Sequence, residues 1–151
     1  MYICMNKSFI AMEYFFELPF KVRDYECDLQ GVVNNAVYQN YLEHARHEFI
    51  NSVGLDFAKM HEEGIDAMVI KIELEYKFPL RSGDEFVVKN ATAKDGSLKF
   101  IFLQDIYRKS DNKLMLKGKV TAVCVNAKTG RPMAYPQLIE AFEAFSTKLS
   151  D

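Results

Sequence analysis

The chain has 151 residues, 49% apolar and 26% charged, with a formal net charge of −2, which is the size and balance of one domain with a substantial core. A near-neutral, slightly acidic chain lacks the surplus of Lys and Arg on which nucleic-acid and membrane-surface binding depend, so a small molecule is the expected partner. Cys4, Cys27 and Cys124 stand far apart with no C-x-x-C pair; neither a zinc site nor a disulfide framework is indicated, and reduced thiols in a cytoplasm are expected.

The N-terminal run MYICMNKSFIAMEYFF is apolar, but Lys7 and Glu13 interrupt it too early for an export signal. Met5 and Met12 leave open a later translation start, and residues 1–12 are expected to be a loose extension of a single domain spanning 1–151. No run approaches the roughly 20 apolar residues of a membrane helix, so a soluble protein is expected.

From Glu13 to Val22 the mixture of aromatic and aliphatic residues predicts a strand, ended by the polar, turn-prone stretch Asp24 to Gly31. Beginning near Asn34 or Asn35, the residues Asn35, Tyr38, Leu42, Ala45, Phe49 and Val53 recur at steps of three and four, which places them on one face of a long helix. Asn40, His44, His47, Glu48 and Asn51 fall on the other side, and Gly54 is a natural stop. A shorter helix is expected between Asp56 and Glu63. The period then changes: Met68, Ile70, Ile72, Leu74, Tyr76 and Phe78 alternate with Val69, Lys71, Glu73, Glu75 and Lys77, predicting a half-buried strand. Three further strands are expected near 84–94, 98–108 and 113–126. Their connections, Asp95-Gly96-Ser97 and Ser110-Asp111-Asn112, are short enough to demand antiparallel neighbours. After the turn at Lys128 to Pro132, Leu138, Ile139, Phe142 and Phe145 suggest a short C-terminal helix.

A long helix set between a first strand and an antiparallel meander must bury its apolar stripe against that sheet. The expected architecture is therefore α+β: a five-stranded antiparallel sheet wrapped around a long central helix, the hotdog fold. Such a sheet leaves an edge strand and an apolar groove uncovered, so self-association is expected.

Residues 24 to 46 read DYECDLQGVVNNAVYQNYLEHAR. This stretch resembles the 4-hydroxybenzoyl-CoA thioesterase family and its acyl-CoA and acyl-carrier-protein thioesterase relatives, whose signature is D-x-x-G-x-V, two variable or polar residues, an aromatic, then E-x-A-R. The matching residues are Asp28, Gly31, Val33, Asn35, Tyr38, Glu43, Ala45 and Arg46. The resemblance implies hydrolysis of an acyl thioester, with Asp28 as nucleophile or general base and the backbone N–H of Asn35 as oxyanion donor. It also implies that Gly31, Val33, Asn34 and Tyr38 lie against the substrate. No metal or organic cofactor is implied beyond the coenzyme A or acyl-carrier phosphopantetheine of the substrate. A homodimer or homotetramer is implied, with Asp28 facing the neighbour's strand residues around 69–78.

The chemistry suits the position. Thioester hydrolysis needs a carboxylate to attack or to activate water, together with donors where charge appears on oxygen. The free N–H groups and partial positive charge of a helix N-terminus provide the second. The chain departs from relatives that carry His or Tyr at the position of Asn35. It also departs from plant-type acyl-carrier-protein thioesterases, which have Asn and His where Gln30 and Val32 stand. No loop His is present, which leaves open an acyl-thioester-binding module with little turnover; a hotdog dehydratase, which pairs an acid with a nearby His, fits less well.

Other roles compete for several of these residues. Asn34 is as good an N-cap as a substrate contact, and Tyr38, on the apolar stripe, reads as core ahead of pocket wall. Glu43, the second-choice catalytic carboxylate, stands three residues from Arg46, where an exposed ion pair is worth about 0.2–0.5 kcal/mol. His44, His47 and His61 are expected at the surface and Cys27 as a packed thiol. Lys94, Lys99, Arg108, Lys109, Lys128 and Arg131 are available to carrier phosphates, but in no phosphate-binding motif.

Overall fold

The computed structural model describes residues 13–146, so the expected extension at 1–12 lies outside them. In chain order the elements are β1 (Phe16–Lys21), a 3₁₀ turn (Asp24–Glu26), α1 (Asn35–Ser52), α2 (Phe57–Glu62), β2 (Ile65–Tyr76), β3 (Glu85–Asp95), β4 (Lys99–Arg108), β5 (Lys113–Asn126) and α3 (Pro136–Ser146). The five strands form one antiparallel sheet in the order β1-β3-β4-β5-β2. This is the expected hotdog arrangement, with α1 as its central helix.

The tight turns follow local chemistry. Gly96 turns β3 into β4 at φ 72°, and Asn112, with φ 53°, turns β4 into β5; both angles lie in the left-handed region that Gly and Asn tolerate best. Gly64, at φ 87°, starts β2 three residues ahead of the expected Met68.

The strict alternation expected of β2 does not hold. Its register against β5 slips between Val69 and Lys71, leaving Ile70 as an extra residue. Residues of both parities are open, with Met68 50%, Val69 43%, Ile70 53% and Ile72 39% exposed. The cause is position: β2 is an edge strand, paired with β5 on one side and with no other strand among the described residues.

The stripe Tyr38, Leu42, Ala45 and Phe49 is buried on α1 as expected, but Tyr41, Ile50 and Arg46 are buried with it. Two apolar clusters flank the middle of the helix. One gathers Tyr38, Tyr41, Leu42, Leu80, Phe86 and Ile106; the other gathers Phe49, Ile50, Phe100, Phe102, Leu138 and Phe142. A buried polar group is threaded under the helix. The Gln104 amide donates to Leu42 O at 2.9 Å and to Asn90 Oδ1 at 3.1 Å, and Asn90 donates to Ala45 O at 3.3 Å. Helix and sheet meet closely at Gly118, where a Cβ would lie 2.8 Å from Gln104 O and 3.2 Å from a methyl of Leu42.

Candidate active site

The loop between β1 and α1 is fastened along its length by backbone bonds. Asp28 N–H donates to Val32 O at 2.9 Å and Gly31 N–H to Asp28 O at 3.0 Å. Cys27 bridges to Val33, and Val32 bridges to Arg81. Gly31 sits at φ 77°, yet a Cβ there would meet nothing within 4 Å, so the glycine answers to a dihedral angle and not to crowding.

Inside this loop the Asp28 carboxylate is exposed and aimed by short-range donors. Its Oδ1 accepts from Gln30 N–H at 2.9 Å and from Val32 N–H at 3.4 Å. With its side-chain nitrogen facing them, Gln30 also donates to Oδ1 and Oδ2 at 3.0 and 3.1 Å, the orientation a carboxylate requires because it only accepts. Gln30 thus holds the Asp28 carboxylate in place, a contact that the motif alone does not point to.

One turn upstream, Glu26 is nearly buried. Its Oε1 accepts from Arg23 N–H at 2.8 Å and from the Tyr41 hydroxyl at 2.9 Å, and its backbone carbonyl accepts from Asn34 N–H at 3.0 Å. Burial, and after it the bond to Glu26, raises the Tyr41 phenol far above its ordinary pKa, so Tyr41 is a permanent donor. The pair fixes the loop to α1.

At the helix start Asn34 is the N-cap, its Oδ1 accepting from Ala36 N–H at 3.0 Å. The Asn35 N–H has no hydrogen-bond partner among the described residues. Asn35 lines a cavity of about 130 Å³ together with Val32, Val33, Tyr38, Tyr76 and Phe78. Tyr38 is both core and wall, only 2% exposed, with its hydroxyl accepting from Leu80 N–H at 3.0 Å. The Tyr76 hydroxyl donates to Asn35 O at 3.2 Å.

Residues 22–144, from just ahead of this loop into α3, match the model of the Thioesterase-like superfamily. The chain belongs to the Thioesterase-like superfamily. Within it, the chain is 38% identical over 131 residues to a chloroplastic acyl-acyl carrier protein thioesterase of Arabidopsis thaliana, covering 87% of this chain and 68% of that protein. An acyl-CoA thioesterase of Haemophilus influenzae is 28% identical over 128 residues, covering 83% and 92%. The solved structure of a 1,4-dihydroxy-2-naphthoyl-CoA thioesterase from Synechocystis superposes with a TM-score of 0.80 at 16% identity, covering 84% of this chain and 94% of that one, and so has the same fold. The chain is accordingly a thioester hydrolase.

In this thioesterase the other candidates fall away from the loop. Glu43 is exposed on α1, outside the cavity beside Asn35, and lies 3.9 Å from His47 Nε2. The expected Glu43–Arg46 ion pair does not form. Arg46 turns inward, only 8% exposed, and donates to Gln104 Oε1 at 3.1 Å, because its position faces the sheet. All three histidines are at the surface as expected, with His44 edge-on to Phe20, His47 edge-on to Phe57 and His61 bound to Asp66. Cys27 is half-buried and Cys124 buried, both free. Of the loop cations, Lys94, Lys99 and Arg108 are engaged by Glu143, Asp95 and Asp111. Among the described residues no three His, Cys, Asp or Glu side chains gather as a metal site, and no helix is long and apolar enough to cross a membrane.

Proposed function

We propose that the enzyme hydrolyses acyl thioesters of coenzyme A or of acyl-carrier phosphopantetheine, with Asp28 as nucleophile or general base and the Asn35 N–H as oxyanion donor. One observation carries this reading. Val32, which is hydrogen-bonded through its backbone to Asp28, and Asn35, whose N–H is unpaired among the described residues, wall the same cavity.

A thioester carbonyl placed there points its oxygen at the first amide of α1, where the helix dipole favours negative charge. The Asp28 carboxylate either attacks the carbonyl carbon, expelling the thiolate and leaving an acyl–Asp28 anhydride that water then hydrolyses to the free acid, or takes a proton from a water that attacks the carbonyl carbon as the thiolate leaves. The step needs neither metal nor organic cofactor. Both carriers are supported by relatives, one named for acyl carrier protein and another for acyl-CoA. The reading extends to a cytoplasmic homodimer or homotetramer formed through β2, which would bring the neighbour's residues 69–78 towards Asp28. Apolar side chains left open along that edge support it.

The test is thiol release from short, long and aromatic acyl-CoAs and from acyl-carrier-protein thioesters. Turnover of at least one is expected. Binding of these thioesters with no thiol release from any would contradict the reading and leave a binding module.

A further inference from the structure

Three cavities lie in turn between α1 and the edge strand β2 and together outline a trough. The cavity at Asn35, Tyr38 and Tyr76 stands at the end next to the loop between β1 and α1. Next comes a cavity of about 250 Å³ between Leu42 and Ile72, then another of about 250 Å³ between His47 and Ala67, closed by Phe100, Phe102 and Leu138. The last two share Glu43, Arg46 and Val69. Helix and strand numbers thus rise and fall together along one path leading away from the catalytic loop.

Arg46 is the one charged residue in these walls that is buried, at 8% exposure. Of its five N–H donors, a single bond to Gln104 Oε1 is made among the described residues, with the Phe102 ring 6.0 Å away. Among the described residues no carboxylate oxygen lies within 4.0 Å of it, and burial lowers its pKa from the ordinary value. Most of a guanidinium is therefore left to whatever fills the trough. A plain methylene chain would displace water from these donors and give nothing back, which loses affinity; a chain carrying an oxygen there replaces the water's hydrogen bonds. Glu43, on the same rim, disfavours a second carboxylate.

Resting on the thioesterase reading with the acyl chain lying in this trough, we propose that Arg46 selects acyl chains bearing a neutral oxygen, hydroxyl or carbonyl, far from the thioester. Arg46 is eleven residues beyond Asn35, about 16 Å along a helix, and its side chain leans back by up to about one turn. The oxygen accordingly sits about eight to twelve carbons from the thioester, at roughly 1.3 Å of advance per carbon.

The experiment compares tetradecanoyl-, 3-hydroxytetradecanoyl- and 10-hydroxytetradecanoyl-CoA by thiol release, and by calorimetric binding to the same enzyme, for wild type, Arg46→Met and Arg46→Lys. Wild type is expected to favour the 10-hydroxy chain over both others by about tenfold or more, with the ratio falling to near one in Arg46→Met and to an intermediate value in Arg46→Lys. A wild-type ratio near one, or a ratio unchanged in a folded Arg46→Met, overturns the proposal. The wild-type comparison decides even where Arg46→Met does not fold. Should no thiol be released, the binding ratios decide the selectivity separately, and only the hydrolytic reading fails.

Discussion

The Tyr41 hydroxyl donates to the nearly buried Glu26 carboxylate at 2.9 Å, so the middle of the central helix holds the turn that leads into Asp28. Tyr41→Phe removes that donor and leaves Glu26 with a backbone amide and the more distant Arg23 side chain. A loss of about 1–2 kcal/mol in unfolding free energy is expected, together with a fall in thioesterase rate beyond what the fraction unfolded explains. Denaturant titration and initial rates on the same samples check both.

The helix can approach the sheet only because residue 118 has no side chain. Gly118→Ala puts a methyl 2.8 Å from a backbone oxygen that cannot easily give way. Overpacking of this kind costs about 1–3 kcal/mol, so the denaturation midpoint is expected to fall with the slope unchanged.

Along β2 the exposed side chains belong to an interface if the enzyme self-associates as proposed. Light scattering on the purified protein is expected to give a dimer or tetramer. The Ile70→Lys, Ile72→Lys double variant is expected to give a folded monomer with reduced thioesterase activity. A monomeric wild type would contradict this.

His61 binds Asp66 at 2.5 Å, tying α2 to the start of β2, and this bond raises the His61 pKa above its ordinary 6.5. Folding thus favours the protonated form. The contribution is fully present below pH 6.5 and is lost as pH rises through the raised value. Proton NMR is expected to place the His61 titration above 6.5 and to return it close to 6.5 in Asp66→Asn.

How far the sequence is legible depends on the range over which each feature is determined. The Asn34 cap, the Gly31 turn and the 38/42/45/49 stripe are set by near neighbours and are readable directly. Arg46 and Tyr41 are not, because a charged or amphipathic side chain beside an apolar stripe is ordinarily a solvated one. Here the burial comes from Gln104 and Glu26, residues 58 positions after Arg46 and 15 before Tyr41. Alternation marked β2 as a strand, but pairing on one side only is a property of the sheet order. Gln30 occupies a variable motif position, and only the folded loop turns it onto Asp28.

The claim that Asp28 carries the chemistry is tested most directly by thiol release from acyl-CoAs for wild type, Asp28→Asn and Glu43→Gln side by side, with circular dichroism confirming the fold. Asp28→Asn is expected to lower kcat by about 10²-fold or more, while Glu43→Gln stays within a few-fold of wild type. Equal rates for wild type and a folded Asp28→Asn would contradict the account and move the search for the carboxylate to Glu43.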